Sequence, residues 1–169
     1  MFGLLFNLFR AIDQVAAKTK LEPKGVDVND NSIDAFFTRY AQYIQEEYKS
    51  VIRQIKYLES RDAYQLFAYP IDQKFGLLGQ YNPVTGRLTE LRLKYYGPGT
   101  RADLDDCYKH ITALVYAADP KQGHEISLEL THLGPDDLSD KNQYSLEQDG
   151  ISYSVSFYQG MITEFTIEW

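Results

Sequence analysis

A cysteine and a histidine three residues apart, as at Cys107 and His110, have the spacing at which one helix face could set an imidazole beside a thiol and take its proton. Asp106 and His110, four apart, could offer two donors to a metal from that same face. Neither pair is completed. Cys107 falls inside an apolar stripe with Leu104, Tyr108, Ile111, Leu114 and Val115, the position of a structural thiol, and no second cluster supplies further metal ligands. His132 is in phase with Ile126, Leu128 and Leu130, and His124 follows Gly123; neither has a serine or aspartate at a spacing that builds a relay. Nucleophile-elbow, phosphate-loop and zinc-protease patterns do not occur. The expectation is no catalytic residue, no metal and no cofactor.

Two residue types remain. Glu47 is the one carboxylate that a continuous helix would place inside its apolar stripe, between Tyr40, Ile44 and Val51, so it is the candidate buried acid. The chain also carries 14 tyrosines. Tyrosine is favoured in binding surfaces because it covers a large area at little entropic cost. Tyr69, Tyr81, Tyr96 and Tyr158 fall on loops, strand ends or outward positions, and Glu164 and Glu168 lie on the polar side of the last strand; these six are the candidate partner-binding residues.

The elements that position them show an internal echo. Gly76 to Leu93 overlies Gly150 to Ile167 at a shift of 74 residues, bringing Gly86 onto Gly160 and Leu88-Thr89-Glu90-Leu91 onto Ile162-Thr163-Glu164-Phe165. Upstream, Phe36, Phe37, Tyr40, Tyr43 and Ile44 match Cys107, Tyr108, Ile111, Leu114 and Val115 at a shift of 71. Matching helices and hairpins in the same order point to a duplicated unit. Apolar spacings of three and four predict one helix from Ile33 to about Leu58 and another from about Ala102 to Ala118, ending before Pro120. Strands are expected near Tyr64 to Tyr69, Phe75 to Tyr81 and Arg87 to Tyr96, then near Glu125 to Leu133, Gln143 to Gln148, Ile151 to Phe157 and Met161 to Trp169, with Asp149-Gly150 as a hairpin turn. The alternation of Ile151, Tyr153, Val155 and Phe157 with serines makes one sheet face apolar and the other hydroxylated.

The fold class read from this pattern is α+β: two tandem repeats of a helix and an antiparallel meander, helices packed on one face of the sheet, preceded by an N-terminal amphipathic helix. Residues 1-169 form one domain, with the helix at 1-17, a linker at 18-31, repeat 1 at 32-99 and repeat 2 at 100-169. In the N-terminal helix Phe2, Leu4, Leu5, Phe6, Leu8, Phe9, Ile12 and Val15 cover everything except a stripe of Asn7, Arg10 and Gln14, which suits packing on the body, on a second subunit in a homodimer, or on a membrane surface. It lacks the basic start of a signal peptide, and its charges interrupt any bilayer span.

With 17 Lys and Arg against 24 Asp and Glu, the net charge of -7 argues against nucleic acid and favours a basic protein partner. A single cysteine excludes an internal disulfide and fits a cytoplasmic setting while leaving a periplasmic one open. The double helix-plus-sheet plan resembles, in architecture alone, the tandem repeat of bacterial β-lactamase-inhibitor-like proteins and some small acidic immunity proteins. Gly160-Met161-Ile162-Thr163-Glu164-Phe165 is similar to the last hairpin of nuclear-transport-factor-like cone folds, which hold small molecules, although the helix at Ala102 to Ala118 interrupts that fold's element order. The leading expectation is a non-enzymatic protein-binding module of inhibitor or immunity type. The alternatives are a small-molecule-binding or enzymatic cone-like pocket and an accessory protein anchored at a membrane or dimer interface.

Overall fold

A computed structural model describes residues 30–61, 63–131, 143–158 and 161–169. The expected helix at 1-17, nearly all of the linker and His132 lie outside the described residues. The fold is α+β, with four helices and a seven-stranded antiparallel sheet among those residues. In chain order the elements are α1 (Ile33–Tyr43), α2 (Tyr48–Arg53), β1 (Lys56–Arg61), β2 (Tyr64–Pro70), β3 (Phe75–Tyr81), β4 (Leu88–Tyr95), α3 (Arg101–Ala118), α4 (Gly123–Thr131), β5 (Gln143–Gln148), β6 (Ile151–Tyr158) and β7 (Met161–Glu168). The strands run β1-β2-β3-β4-β7-β6-β5 across the sheet, so two meanders meet along their last strands.

The sheet has one apolar side, which follows from strand parity. Phe67, Gly79, Leu91, Ile167 and Tyr153 form a row across β2, β3, β4, β7 and β6, and Tyr69, Leu77, Leu93, Phe165 and Val155 form the next. Every side chain in these two rows is buried. Helix side chains reach the same core: the Phe37 ring lies 5.8 Å from Phe67, and His110 lies 4.7 Å from Phe75. Gly79 is the gap in the first row. A methyl there would meet the Phe67 ring and would come within 2.7 Å of Leu91 Cδ2, so the phenylalanine lies in the space the glycine leaves. The other side carries Gln80, Glu90, Arg92, Lys94, Glu164, Thr166, Glu168 and the β6 serines, none of them part of the apolar core.

Two expectations are corrected. The helix from Ile33 to Leu58 is broken, because the chain turns after Tyr43 through Gln45 at φ 60, resumes as the short α2, and becomes strand β1 by Lys56. Left-handed backbone at a non-glycine residue leaves no mark in apolar spacing. The segment expected as a strand from Glu125 to Leu133 begins instead as α4, in which Ile126 and Leu130 are buried four residues apart. Ile126, Leu128 and Leu130 alternate as a strand would, but Ile126 and Leu130 also stand at the helical spacing of four, and that period holds.

The correspondence between the meanders is also finer than a single shift. Leu91 faces Ile167 and Leu93 faces Phe165, so a shift of 74 exchanges the members of the β4–β7 ladder about the Arg92–Thr166 pair. Leu77 faces Leu93 and Tyr153 faces Ile167, which relates β3 to β6 by 76 rather than by the gapless 74. The hairpin loop is accordingly two residues longer in the first meander. Each hairpin has a register irregularity at the matching place, between Gln80 and Tyr81 and between Ser156 and Phe157.

Candidate functional site

Strand β4 ends at Tyr95 and the chain crosses to α3 through Tyr96-Gly97-Pro98-Gly99-Thr100. This crossing is held by one buried carboxylate. Asp103, in the first turn of α3, has no exposed surface. Its Oδ2 accepts hydrogen bonds from the Thr100 backbone N–H at 2.8 Å, the Thr100 hydroxyl at 2.6 Å and the Tyr95 hydroxyl at 2.8 Å, while Oδ1 pairs with Lys74 Nζ. The Tyr95 oxygen in turn accepts from the Gly99 N–H at 2.6 Å. Lys74 and the Thr100 donors hold the Asp103 carboxyl far below the ordinary carboxylate range, against the opposing effect of burial. A carboxylate with four donors and no exposure is a clamp rather than a proton acceptor. It closes the capping box at the N-terminus of α3 and ties β4, the crossing and the β2–β3 turn together.

The crossing then forms one wall of a groove. Tyr95, Tyr96, Pro98, Tyr158, Met161 and Thr163 line an open cleft of about 450 Å³ at the end of the sheet where β4 and β6 finish and β7 begins. Tyr96 and Tyr158 are each 66% exposed. The glycines shape the wall: a side chain on Gly97 would strike the Tyr95 ring at 2.5 Å, and Gly99 adopts φ 83, where only glycine sits without strain. The groove sets three tyrosines, Tyr95, Tyr96 and Tyr158, beside Pro98 and Met161, and its lining is polar and apolar in about equal share.

At the opposite end of β7 lies a second hollow, of about 300 Å³. It is bounded by Asp30, Arg87, Asp119, Lys121, Asp149 and Trp169. The shift of 74 carries Arg87, which borders the polar hollow, to Met161 in the aromatic groove, and carries Tyr95 in the groove to Trp169 in the hollow.

The structure separates the residues singled out in the sequence. Tyr96 and Tyr158 share the groove. Tyr81 is half buried, its ring 6.4 Å from Tyr57 and 6.2 Å from Phe67. Tyr69 is a correction: it is 3% exposed, packed against Phe37 and Tyr40, because it shares strand parity with Phe67, and burial pushes its hydroxyl up to about 12. Glu47 is a second correction, since the broken helix leaves it exposed at the N-terminal boundary of α2 instead of inside a stripe. Glu164 and Glu168 both stand on the open side of the sheet; Glu164 pairs with Lys94, and Glu168 lies opposite Glu90 and Ser152. The Asp103 clamp had no place among the sequence candidates, although Thr100 and Asp103 stand at capping-box spacing ahead of an apolar run.

The helix pair behaves as a core does. Burial pushes the Cys107 thiol up to about 12 and lowers the His110 imidazole below its usual value, so both are held neutral near pH 7. His110 Nε2 lies 3.9 Å from Asp72, and His124 Nδ1 lies 3.2 Å from the Tyr116 hydroxyl. Among the described residues no three His, Cys, Asp or Glu side chains converge as a metal site. No described helix is long and apolar enough to cross a membrane. The chain matches no family model, no curated protein and no solved structure.

Proposed function

We propose that this protein is a non-enzymatic binding module of inhibitor or immunity type that holds a basic partner protein. The observation that carries the reading is the pairing of Tyr96 and Tyr158, two large side chains from different strands' ends, two-thirds exposed and set on one groove beside Met161 and Pro98. Aromatic anchors gathered in this way dominate the energetics of protein interfaces. The groove adjoins the open side of the sheet, where Arg92 and Lys94 are tied to Glu90 and Glu164, and where Glu147 and Glu168 form no ion pair among the described residues. Lys56 stands on the same side, also without an ion pair among the described residues, so the excess there is one negative charge, a bias toward a basic partner.

The same proposal takes the two meanders as diverged copies of one helix-plus-sheet unit, with helices on the apolar side. Support comes from the symmetric β4–β7 ladder and the matched irregularities in the two hairpins. A duplicated unit presents related grooves at both ends of its central strand pair, and divergence can then fit them to different groups on one partner.

The test is affinity capture from the native host with the wild-type chain and the Tyr96→Ala/Tyr158→Ala variant side by side. One stoichiometric basic protein held by the wild type and released by the variant is the expected result. An identical set of proteins on both baits overturns the reading. A small-molecule site is the second reading, and the polar hollow beside Trp169 is the observation that favours it.

A further inference from the structure

We infer that the β2–β3 turn makes the aromatic groove responsive to protons, with His110 as the sensor, Asp72 as the group it acts on and Tyr96 as the groove residue that moves; its meaning as regulation rests on the protein-binding reading. Three contacts of the turn carry the inference. Asp72 Oδ2 lies 3.9 Å from His110 Nε2, while Asp72 Oδ1 accepts the Lys74 and Phe75 N–H groups at 2.7 and 2.8 Å. The Lys74 carbonyl accepts the Tyr96 N–H at 2.8 Å, and Lys74 Nζ pairs with Asp103. One residue on, the Phe75 ring stands 4.7 Å from His110 and 5.3 Å from Tyr95. A single turn thus touches both His110 and the wall of the groove.

At neutral pH the imidazole is uncharged, because burial lowers its proton affinity more than the nearby carboxylates raise it. Its side chain is still 21% exposed, so protons reach it from solvent. At 3.9 Å a neutral ring has little hold on Asp72. An imidazolium attracts it strongly, because the pair is half buried and Asp72 Oδ2 takes no part in the turn's hydrogen bonds. Asp72 then closes on the ring and takes with it the Lys74 carbonyl that positions Tyr96. The other charged groups near the ring are already engaged. Asp106 and Lys109, from α3 itself, are tied to each other at 2.8 Å, Asp103 is paired with Lys74, and burial keeps the Tyr40 hydroxyl of α1, in the field of Asp72, protonated.

The test is a pH titration of the full chain by NMR that follows the His110 ring and the amides of Lys74 and Tyr96. Both amides are expected to shift with the midpoint of the His110 ring, below the ordinary imidazole value. Lys109→Gln, at an exposed position of α3, removes a cation and should raise the His110 midpoint, and the Tyr96 midpoint should rise by the same amount. Asp72→Asn keeps an Oδ1 acceptor for the turn, should lower the His110 midpoint and should remove most of the Tyr96 shift. His110→Gln should abolish that shift altogether. A Tyr96 amide that does not titrate with His110 in the wild type, a Tyr96 midpoint that stays fixed in Lys109→Gln while that of His110 moves, or a full Tyr96 shift in Asp72→Asn overturns the inference. If Tyr96 ignores His110 and a partner is still captured by the wild type and released by Tyr96→Ala/Tyr158→Ala, the inference fails while the protein-binding reading stands. If Tyr96 follows His110 and no partner protein is captured, the groove is proton-responsive and the protein-binding reading falls.

Discussion

Arg92 and Thr166 stand directly opposite each other across β4 and β7, and a displacement of 74 residues carries one onto the other. The pair therefore marks a local two-fold axis in the middle of the sheet. One step along the open side, Glu90 faces Glu168, a like-charge pairing that disfavours the ladder, and Arg92 offsets it by pairing with Glu90 through Nε. Replacing Arg92 with glutamine should destabilise the fold by about 0.5 kcal/mol in low salt, and the loss should shrink toward zero in 0.5 M salt as screening removes the repulsion. Denaturant melts of both proteins at the two salt concentrations measure this.

Gly79 faces Phe67 on one neighbouring strand and Leu91 on the other. A methyl at Gly79 overlaps the Phe67 ring, so Gly79→Ala should cost roughly 1–3 kcal/mol as an overpacked core position. Gly76→Ala is the matched control: its nearest neighbour is a Tyr96 ring carbon at 3.3 Å, on a side chain with room to move, and thermal unfolding should show a much smaller change.

The Asp103 clamp makes stability depend on pH in a definite direction. Its folded-state pKa lies well below the unfolded value near 3.9 because Lys74 and the Thr100 donors favour the charged form. The carboxylate therefore contributes stability in full above about pH 4, and that contribution declines as the pH falls from about 4 toward the lowered folded-state value. The stability difference between wild type and Asp103→Asn should be flat from pH 5 to 8 and should narrow below pH 4 in urea melts. A difference that widens on acidification would show that the clamp is not ionised in the fold.

Cys107 should be inert in the folded protein. With its thiol pushed up to about 12, the thiolate fraction at pH 8 is about a thousandfold below that of an ordinary exposed cysteine with pKa near 8.5. Reaction with a disulfide reagent should follow global unfolding across a denaturant series. Fast labelling without denaturant would place the thiol at the surface.

Strand parity and turn chemistry carried most of what could be read in advance. Phe75–Tyr81 and Gln143–Gln148 match their expected spans, because each adjoins a turn the sequence announces and alternates against a buried row. Strand β1 had no such signal. It is an edge strand exposed at every position, so no alternation was imposed on Lys56–Arg61, and the stripe of Tyr48, Val51 and Ile55 ran on in helical phase across the break at Gln45. The groove was half legible for the same reason. Tyr96 and Tyr158 could be placed at strand ends, but their meeting depends on β4 and β7 pairing 74 residues apart. The polar hollow was invisible, since it joins Asp30, Asp119 and Asp149 from three distant turns.

The tyrosine assignments separate surface from core. Tyr69→Ala removes a ring packed against Phe37 and Tyr40 and should cost about 3–5 kcal/mol, whereas Tyr96→Ala and Tyr158→Ala should each stay within about 0.5 kcal/mol of wild type. Equilibrium melts of the three variants give the comparison. The same pair of groove variants can then be used in binding work without a folding defect to confuse the result.

The most direct measurement of the central claim is native mass spectrometry of the 19.5 kDa chain isolated under gentle conditions from its own host. The protein-binding reading predicts a complex with one further polypeptide of basic isoelectric point in fixed ratio, lost when Tyr96 and Tyr158 are both alanine. A chain that arrives alone with a bound metabolite of a few hundred daltons would contradict it.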